Sequence, residues 1–344
     1  MKSVSIDQRM GGGATATLAK GRQTATLPLV GNASVFREAI ASIPVIARSA
    51  RPVLIGGETG TGKELVARAI HAASDRANFP FVAVNCGSLV DTLVDDALFG
   101  HEQGAFTDAR ARREGLIARA SGGTLFLDEL EALSAKGQVT LLRVLEDDAF
   151  RALGSSRLEQ ANVRFVAATN APLEGVIKTG AFRADLYYRL CVFSINLPPL
   201  RERPEDILPL SHYFLLQHAP SDEPAPDLDD SARRALVGYH WPGNVRELEN
   251  TIIRAIYLRK TATISGADLG LPIDLALTEP RHGRTFHALK QETIATFERR
   301  YLERVMHEHH GNVTHAAIAT GKERREFGRL LKKHHIDPQA FRRL

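Results

Sequence analysis

The sequence is poor in cysteine and has no long apolar run. Only two cysteines occur among 344 residues, Cys86 and Cys191, with no Cys or His at metal-ligand spacing nearby. This argues against a disulfide scaffold or a structural zinc site and fits a reducing compartment. No run approaches the ~20 apolar residues of a membrane helix, and the first residues lack a signal-peptide pattern. We therefore expect a soluble, cytoplasmic protein without membrane contact.

Hydrophobic residues make up 44% of the chain, which excludes disorder as its main state. Charge is unevenly distributed along it. Residues 281–344 contain 14 Lys and Arg against 7 Asp and Glu, together with 8 of the 13 histidines, whereas residues 1–280 carry a net charge of −3. A basic segment on a near-neutral body suits a polyanion, although a solvated helical face gives the same charge.

Short apolar runs alternate with helical patterns after residue 29. Runs starting at Val53, Phe81, Thr124 and Phe165 predict a parallel sheet covered by helices, an α/β fold. After Pro199 the strand patterns stop and helical patterns take over. The predicted segments are a flexible leader (1–28), an α/β domain (29–199), a helical subdomain (200–265), a linker (266–285) and an all-α C-terminal domain (286–344).

A glycine-rich segment follows the first predicted strand. It consists of Gly57, Glu58, Thr59, Gly60, Thr61, Gly62, Lys63 and Glu64. Glycines let backbone N–H groups close around a polyphosphate, the next helix adds its dipole, and Lys63 can reach the β- and γ-phosphates. Glu64 stands where the general pattern has Ser or Thr for magnesium, so part of the metal contact must come from elsewhere. The segment predicts a nucleotide pocket, with a chance glycine turn as the alternative.

Two carboxylates end the third predicted strand, at the edge where open α/β sheets bind ligands. Asp128 is placed to order magnesium, and Glu129 to polarise an attacking water. A helix cap after an ordinary strand is the alternative. Together with the phosphate loop, the pair predicts an ATPase that uses Mg²⁺.

Six segments in order resemble the central AAA+ ATPase domain of the sigma-54-dependent transcriptional activators, the bacterial enhancer-binding proteins. They are GETGTGKELVARAIH, LFGHEQGAFTDA, GGTLFLDEL, FRADLYYRL, LPPLRERPEDI and WPGNVRELEN. The match covers about residues 30–269, and Glu64 is the residue that this family usually carries. The resemblance implies an AAA+ domain with a helical lid that hydrolyses ATP to remodel the closed complex of sigma-54 RNA polymerase.

The resemblance also implies roles for single residues. Asn85 would hold Glu129 away from water until γ-phosphate is sensed, although it could be a strand-end cap. Thr169 and Asn170 would sense the γ-phosphate, and Arg246 would contact nucleotide from the lid.

Arg183 and Arg189 resemble the family's arginine fingers, which enter the neighbouring subunit's site and imply a homo-oligomeric ring, a hexamer. Surface ion pairs are the alternative.

One segment resembles the GAFTGA loop that presents Phe and Thr to sigma-54 in this family. Its residues here are Gly104, Ala105, Phe106, Thr107, Asp108 and Ala109. Asp108 replaces a glycine, which tolerates positive φ at lower cost, and adds a carboxylate to the contact surface. An ATP-binding, DNA-bound repressor or scaffold that does not activate sigma-54 is therefore the alternative function.

The tail resembles the Fis-type helix-turn-helix that closes these activators, with a turn at Gly321 and a recognition helix over 322–334. The DNA-contacting candidates are Arg324, Arg325, Arg329, Lys332 and Lys333. Gly328 inside this helix should cost ~1 kcal/mol relative to Ala. The helix predicted over 286–309 would supply a dimer face for DNA half-sites. A generic basic hairpin, or a tail that anchors a remodeller of another protein, is the alternative.

The ~30 residues before the α/β domain are too few for a receiver or ligand-sensing domain. We therefore expect control by expression level or by a regulatory protein that binds in trans.

Overall fold

A computed structural model describes residues 29–107, 109–220, 224–259, 261–271, 295, 298–299, 301–334 and 336–341. The chain divides into two compact units after residue 271.

The strands of the first unit are β1 (Val53–Gly56), β2 (Phe81–Asn85), β3 (Gly100–His101), β4 (Arg113–Glu114), β5 (Thr124–Asp128), β6 (Ala149–Phe150), β7 (Glu159–Gln160), β8 (Arg164–Thr169), β9 (Phe193–Asn196), β10 (Asp227–Leu228) and β11 (Thr263–Ile264). Its helices are α1 (Ser34–Ile40), α2 (Ile43–Ala47), α3 (Lys63–Ala72), α4 (Val94–Phe99), α5 (Leu116–Arg119), α6 (Ala135–Asp147), α7 (Leu173–Lys178), α8 (Ala184–Leu190), α9 (Ile207–His218), α10 (Asp230–Gly238) and α11 (Asn244–Leu258).

A five-stranded parallel sheet forms the middle of this unit, in the order β2-β5-β8-β1-β9. The predicted α/β fold and all four predicted strands are confirmed. Every residue of β8 is buried, as are the first four of β5, because helices cover both faces of the sheet. One apolar layer contains Ile55, Phe126 and Val166, and the other contains Leu125 and Phe165.

Helices α9, α10 and α11 form the lid, whose core surrounds the fully buried Trp241. The indole Nε1 donates to the carbonyl of Leu236 at 2.9 Å. The prediction that strands stop after Pro199 is wrong, because β10 pairs with β11 in parallel. Strands of two residues are too short to show an alternating pattern. Leu269, within the predicted linker, is buried in the lid core.

The second unit contains α12 (described as helical at residues 295, 298–299 and 301–308), α13 (Val313–Ala319) and α14 (Arg324–Lys333). Met306, Ala316, Phe327 and Leu331 form its small core. The Asn312 side chain caps α13 by accepting from two backbone N–H groups. Of the helix predicted over 286–309, residues 286–294 lie outside the described residues.

In the described part of the chain, no helix combines the length and the apolar character that crossing a membrane requires.

Candidate functional site

A cavity of about 540 Å³ lies between the lid and the edge of the sheet where β1, β5 and β8 end. Side chains at the carboxyl ends of parallel strands converge at such an edge. Ten predicted site residues line the cavity: Thr59, Gly60, Thr61, Gly62, Lys63, Glu64, Asp128, Glu129, Asn170 and Arg246.

The loop between β1 and α3 needs its glycines for two different reasons. Gly62, with φ of 102°, is the N-cap of α3 in a left-handed conformation that side chains disfavour. Gly60, with φ of 80°, also lies against the lid, where an added Cβ would be 2.3 Å from the carbonyl oxygen of Gly243. The loop therefore exposes its backbone to the cavity and contacts the lid closely.

Lys63 is only 7% exposed, and its ammonium group bonds back to this loop. Its Nζ donates to the carbonyls of Gly57 (2.7 Å) and Glu58 (2.9 Å) and to Oδ1 of Asn170. Burial lowers the pKa of Lys63, an effect that the carboxylate of Asp128 partly opposes. A buried cation is thus held where a polyphosphate would enter.

Asp128 and Glu129 line the same cavity although successive strand side chains normally point to opposite faces. Glu129 has φ of 52°, so a left-handed turn directly after β5 redirects its side chain. Burial raises the pKa of Asp128. Oδ1 of Asp128 accepts from the backbone N–H of Glu129 at 3.0 Å. The predicted acidic pair is therefore brought together with Lys63.

The two predicted sensor residues differ in position. Asn170 lines the cavity, and its backbone N–H donates to Oε1 of Glu131 at 3.0 Å. Thr169 is buried, and its hydroxyl donates to the carbonyl of Ala171. Glu131 is a supporting residue that the sequence reading missed.

Six of the predicted catalytic and nucleotide-binding residues do not line the cavity of this chain: Gly57, Glu58, Thr169, Asn85, Arg183 and Arg189. Asn85 accepts a hydrogen bond from the N–H of Gly87 at 2.8 Å, which is the cap contact given as its alternative role. Arg183 pairs with Asp185 at 2.6 Å on the surface. Arg189 donates twice to the carbonyl of Leu145.

The lid contacts the phosphate loop through residues that sequence reasoning did not select. Nδ2 of Asn244 donates to the carbonyl of Thr59 at 3.0 Å, and the N–H of Val245 donates to the carbonyl of Gly60 at 2.9 Å. Asn244 is fully buried and left-handed, with φ of 53°. Its Oδ1 also accepts from the N–H of Leu200. The signal available in the sequence was the asparagine that directly follows Pro-Gly in WPGNVRELEN, since asparagine tolerates a left-handed turn.

The Glu58 side chain is directed to the lid. Its carboxylate accepts from two guanidinium nitrogens of Arg201, at 2.6 and 2.8 Å, and from Asn244 at 3.2 Å. These hydrogen bonds lower the pKa of Glu58 to about 2. The Glu58 side chain therefore contacts residues of the lid and does not line the cavity.

The cavity also has apolar lining residues. They come from three distant segments and include Val30, Phe36, Leu210, Phe214 and Val245. Apolar lining together with a few convergent charged and polar groups is typical of ligand pockets.

Residues 102–112 form a loop on the antiparallel pair of β3 and β4. Gly104, with φ of 84°, and Ala109 close a turn through a backbone bond of 2.8 Å. Phe106 and Thr107 are exposed near the tip. Asp108 lies outside the described residues.

All five predicted DNA-contacting residues are exposed on α14. Lys333 forms an ion pair with Glu298 at 2.7 Å, and Lys322 pairs with Glu326.

The sheet order, the glycine loop with its buried lysine, the adjacent acidic pair and the helical lid define a P-loop nucleoside triphosphatase fold. Two family models match the chain: "Sigma-54 interaction domain" over residues 29–196 and "AAA+ ATPase lid domain" over residues 201–285.

Known relatives extend this match. The chain is 43% identical over 300 residues to the transcriptional regulatory protein GlrR of Escherichia coli K12, covering 87% of this chain and 66% of GlrR. It is 40% identical to the Psp operon transcriptional activator of the same organism, covering 90% of this chain and 98% of that protein. The ATP complex of NtrX from Brucella abortus has a TM-score of 0.66 at 33% identity, covering 90% of this chain and 69% of NtrX.

The chain spans slightly less than two thirds of the length of GlrR. It belongs to the family of sigma-54-dependent transcriptional activators, as the sequence motifs predicted.

Proposed function

We propose that this chain is an ATP-hydrolysing transcriptional activator that binds upstream DNA and remodels the closed complex of sigma-54 RNA polymerase. The observation that carries the proposal is the convergence of Lys63, Asp128, Glu129 and Asn170 in one cavity beneath the lid. Phosphoryl transfer needs positioning and charge neutralisation more than covalent chemistry from the protein, and these groups supply both.

The cavity fits ATP. Its volume lies in the usual range of ligand pockets, roughly 300–1,000 Å³, and its lining combines Lys63 and the glycine loop with apolar side chains. NtrX, whose fold is similar, has been solved with ATP.

The donor set also fits Mg²⁺. Among the described residues, no group of three or more His, Cys, Asp and Glu side chains forms a protein-only metal cage. Mg²⁺ is usually held by one or two carboxylates together with phosphate oxygens and water. Asp128 would hold it here, since Glu64 is paired with Arg68 at 2.6 Å. When bound, the ion neutralises phosphate charge.

The residues of this chain then have separate roles in ATP hydrolysis. Lys63 holds the phosphates, Glu129 orients and deprotonates the attacking water, and Asn170 donates to the γ-phosphate. Arg246 contacts nucleotide from the lid. Asn85, next to Asp128 in the strand register, would restrain Glu129 before the γ-phosphate is sensed.

Completion of the site requires a neighbouring copy. Arg183 and Arg189 lie away from the cavity of their own chain and would enter the cavity of the next subunit in a hexameric ring. The exposed Phe106 and Thr107 would contact sigma-54, and the basic face of α14 would bind double-stranded DNA. A regulatory protein acting in trans would set the activity of this ring.

The test is ATP-dependent open-complex formation on a sigma-54 promoter with upstream DNA sites. Wild type should open the promoter and Lys63→Ala should not, because the phosphates lose their buried cation. Lys178→Ala, at an exposed lysine on α7, is the matched control and should behave as wild type. Wild-type protein that hydrolyses ATP but opens no sigma-54 promoter would refute the proposal.

The Asp108→Gly variant distinguishes an activator from the alternative function, a repressor or scaffold. For an activator, wild type is already active and the variant changes opening modestly. A large gain from a near-zero baseline would instead support the repressor or scaffold.

A further inference from the structure

A buried histidine lies at the base of the loop formed by residues 102–112. His101, the last residue of β3, is 8% exposed. Its Nδ1 lies 2.5 Å from Oδ1 of Asp96 on α4, and its Nε2 lies 2.9 Å from the carbonyl oxygen of Ala111 in the loop. The ring therefore connects the loop to the body of the domain through both nitrogens.

Both partners of His101 are acceptors. A peptide carbonyl accepts only, and Asp96 uses its other oxygen, Oδ2, to accept from Nη1 of Arg113 at 3.1 Å. Neutral imidazole carries one N–H and cannot donate at both nitrogens. The two contacts are therefore satisfied together when the ring carries two protons.

Among the charged side chains around His101, Asp96 is the one that contacts the imidazole ring directly. The charged groups on the elements around His101 are Asp95 and Asp96 of α4, Arg113 and Glu114 of β4, Glu102, Arg110 and Arg112 of the loop, and Arg151 and Arg157 of the segment that bridges to His101 through Leu153. Asp95 pairs with Lys136 at 2.8 Å, and Glu102 pairs with Arg112 at 3.5 Å. Of these described charged groups, Asp96 is the one that bonds to the imidazole.

The same ring supports the aromatic residue of the loop tip. The ring centroids of His101 and Phe106 are 4.8 Å apart in an edge-on arrangement, and Phe106 remains 42% exposed. Phe106 is thus held partly covered against His101, while Ala111 is held by the same side chain.

We propose that doubly protonated His101 is a positioning residue that holds Phe106 and the 102–112 loop against the domain. This rests on the proposed contact between that loop and sigma-54. Loss of one proton leaves the Ala111 carbonyl or the Asp96 carboxylate facing a ring lone pair. The loop is then released, so its presentation depends on His101 as well as on nucleotide.

Asp96→Asn is the informative variant. An amide oxygen can still accept from Arg113, and the amide N–H₂ can donate to Nδ1 of neutral His101, which leaves Nε2–H for Ala111. This variant should keep the loop anchored when the ring is neutral. His101→Gln should release it at every pH, because one amide cannot reproduce both contacts and the ring.

Trypsin cleavage after Arg110 and Arg112 measures release of the loop in the native chain. The wild-type cleavage rate is compared with the Asp96→Asn rate at several pH values from about 5 to 8. Taking this ratio cancels the pH dependence of trypsin. The ratio of the wild-type cleavage rate to the Asp96→Asn rate should rise about tenfold from the low to the high end of this pH range. That is the scale of losing a hydrogen bond to a charged group. Identical pH profiles for wild type and Asp96→Asn would overturn the proposal.

Side-chain ¹⁵N spectra of His101 give a direct check that does not depend on a destabilised variant. Two protonated ring nitrogens should be seen wherever the loop resists trypsin, and a single N–H under those conditions would overturn the proposal. Sigma-54 capture should rise with pH in wild type relative to Asp96→Asn. Wild type that captures no sigma-54 at any pH would refute the proposed function, whereas the cleavage and NMR results would still decide the role of His101.

Discussion

Arg203 and Asp206 form an ion pair that is closed to solvent, just before helix α9 of the lid. Nη1 of Arg203 lies 4.0 Å from Oδ2 of Asp206, and the two residues are 1% and 0% exposed. Arg203 also donates to the carbonyl of Thr61 at 3.1 Å and lies 4.6 Å from the ring centroid of Phe36. Asp206 accepts from the backbone N–H of Ala33 at 2.8 Å. The pair therefore joins the phosphate loop, the lid and the start of the domain.

Removing one member of this pair should destabilise the first unit strongly. Burial lowers the pKa of Arg203 to about 10, but the group stays charged at neutral pH. Arg203→Met leaves Asp206 as an uncompensated buried carboxylate and should cost about 3–5 kcal/mol in unfolding free energy. The double variant Arg203→Met/Asp206→Leu should cost less, because no lone charge remains. Urea unfolding of both measures this, and a double variant no more stable than the single would contradict it.

The Glu58 carboxylate should contribute to the free energy of unfolding, and this contribution should be lost only in strong acid. Its pKa falls from 4.5 to about 2 through hydrogen bonds from Arg201 and Asn244. A carboxylate with a lowered folded pKa stabilises the fold above its ordinary pKa and loses that contribution as the pH falls toward the folded value. The difference in unfolding free energy between wild type and Glu58→Gln should therefore be constant above about pH 5.

That difference should shrink as the pH falls from 4.5 toward 2. It should also be small, because the Glu58 and Arg201 side chains are each 42% exposed. Urea unfolding at a series of pH values measures it, with Glu38→Gln at an exposed position of α1 as the control. A difference that grew on acidification would contradict the assigned contacts.

The sequence predicted those structural elements whose pattern lies within one short, continuous stretch of the chain. The strands at Val53 and Thr124 are continuous apolar runs, and the phosphate loop is one short segment with a recognisable chemistry. Strand β9 was missed because it is an edge strand with only Ile195 buried, so its pattern is weak. The apolar lining residues of the cavity were missed because they come from segments far apart in the chain.

Long-range contacts explain the remaining omissions in the site. Arg203, Asn244 and Glu131 matter through partners 39 to 186 residues away, which no local pattern encodes. Family resemblance supplied roles for Arg183 and Arg189, whose function depends on a second copy. Those roles stay predictions that need an assembly to be tested.

Mixing two inactive variants tests whether Arg183 acts across subunits. Arg183 is exposed and pairs with Asp185, so Arg183→Ala should leave the fold intact, whereas Arg189 also holds the carbonyl of Leu145. Each of Arg183→Ala and Lys63→Ala should lose ATP hydrolysis, the former by about 10³- to 10⁵-fold as expected for an arginine finger. A mixture should regain activity wherever an intact Lys63 site meets an intact Arg183 from its neighbour. A mixture as inactive as its components would contradict action in trans.

We expect Gly328 to lower the stability of helix α14 and to allow the backbone of that helix to come close to bound DNA. It lies inside α14 among the exposed Arg325, Arg329 and Lys332, and an added Cβ would meet no described atom within 4 Å. Gly328→Ala should therefore stabilise the second unit by up to about 1 kcal/mol in thermal or urea unfolding. If α14 binds DNA as proposed, the same methyl group should weaken binding to upstream DNA, because it would stand between the surface of the duplex and the helix backbone. Gly238→Ala in the lid, also in open space, is the control for unfolding and should leave DNA binding unchanged. Unchanged or tighter DNA binding by Gly328→Ala would show that this face of α14 does not approach the duplex.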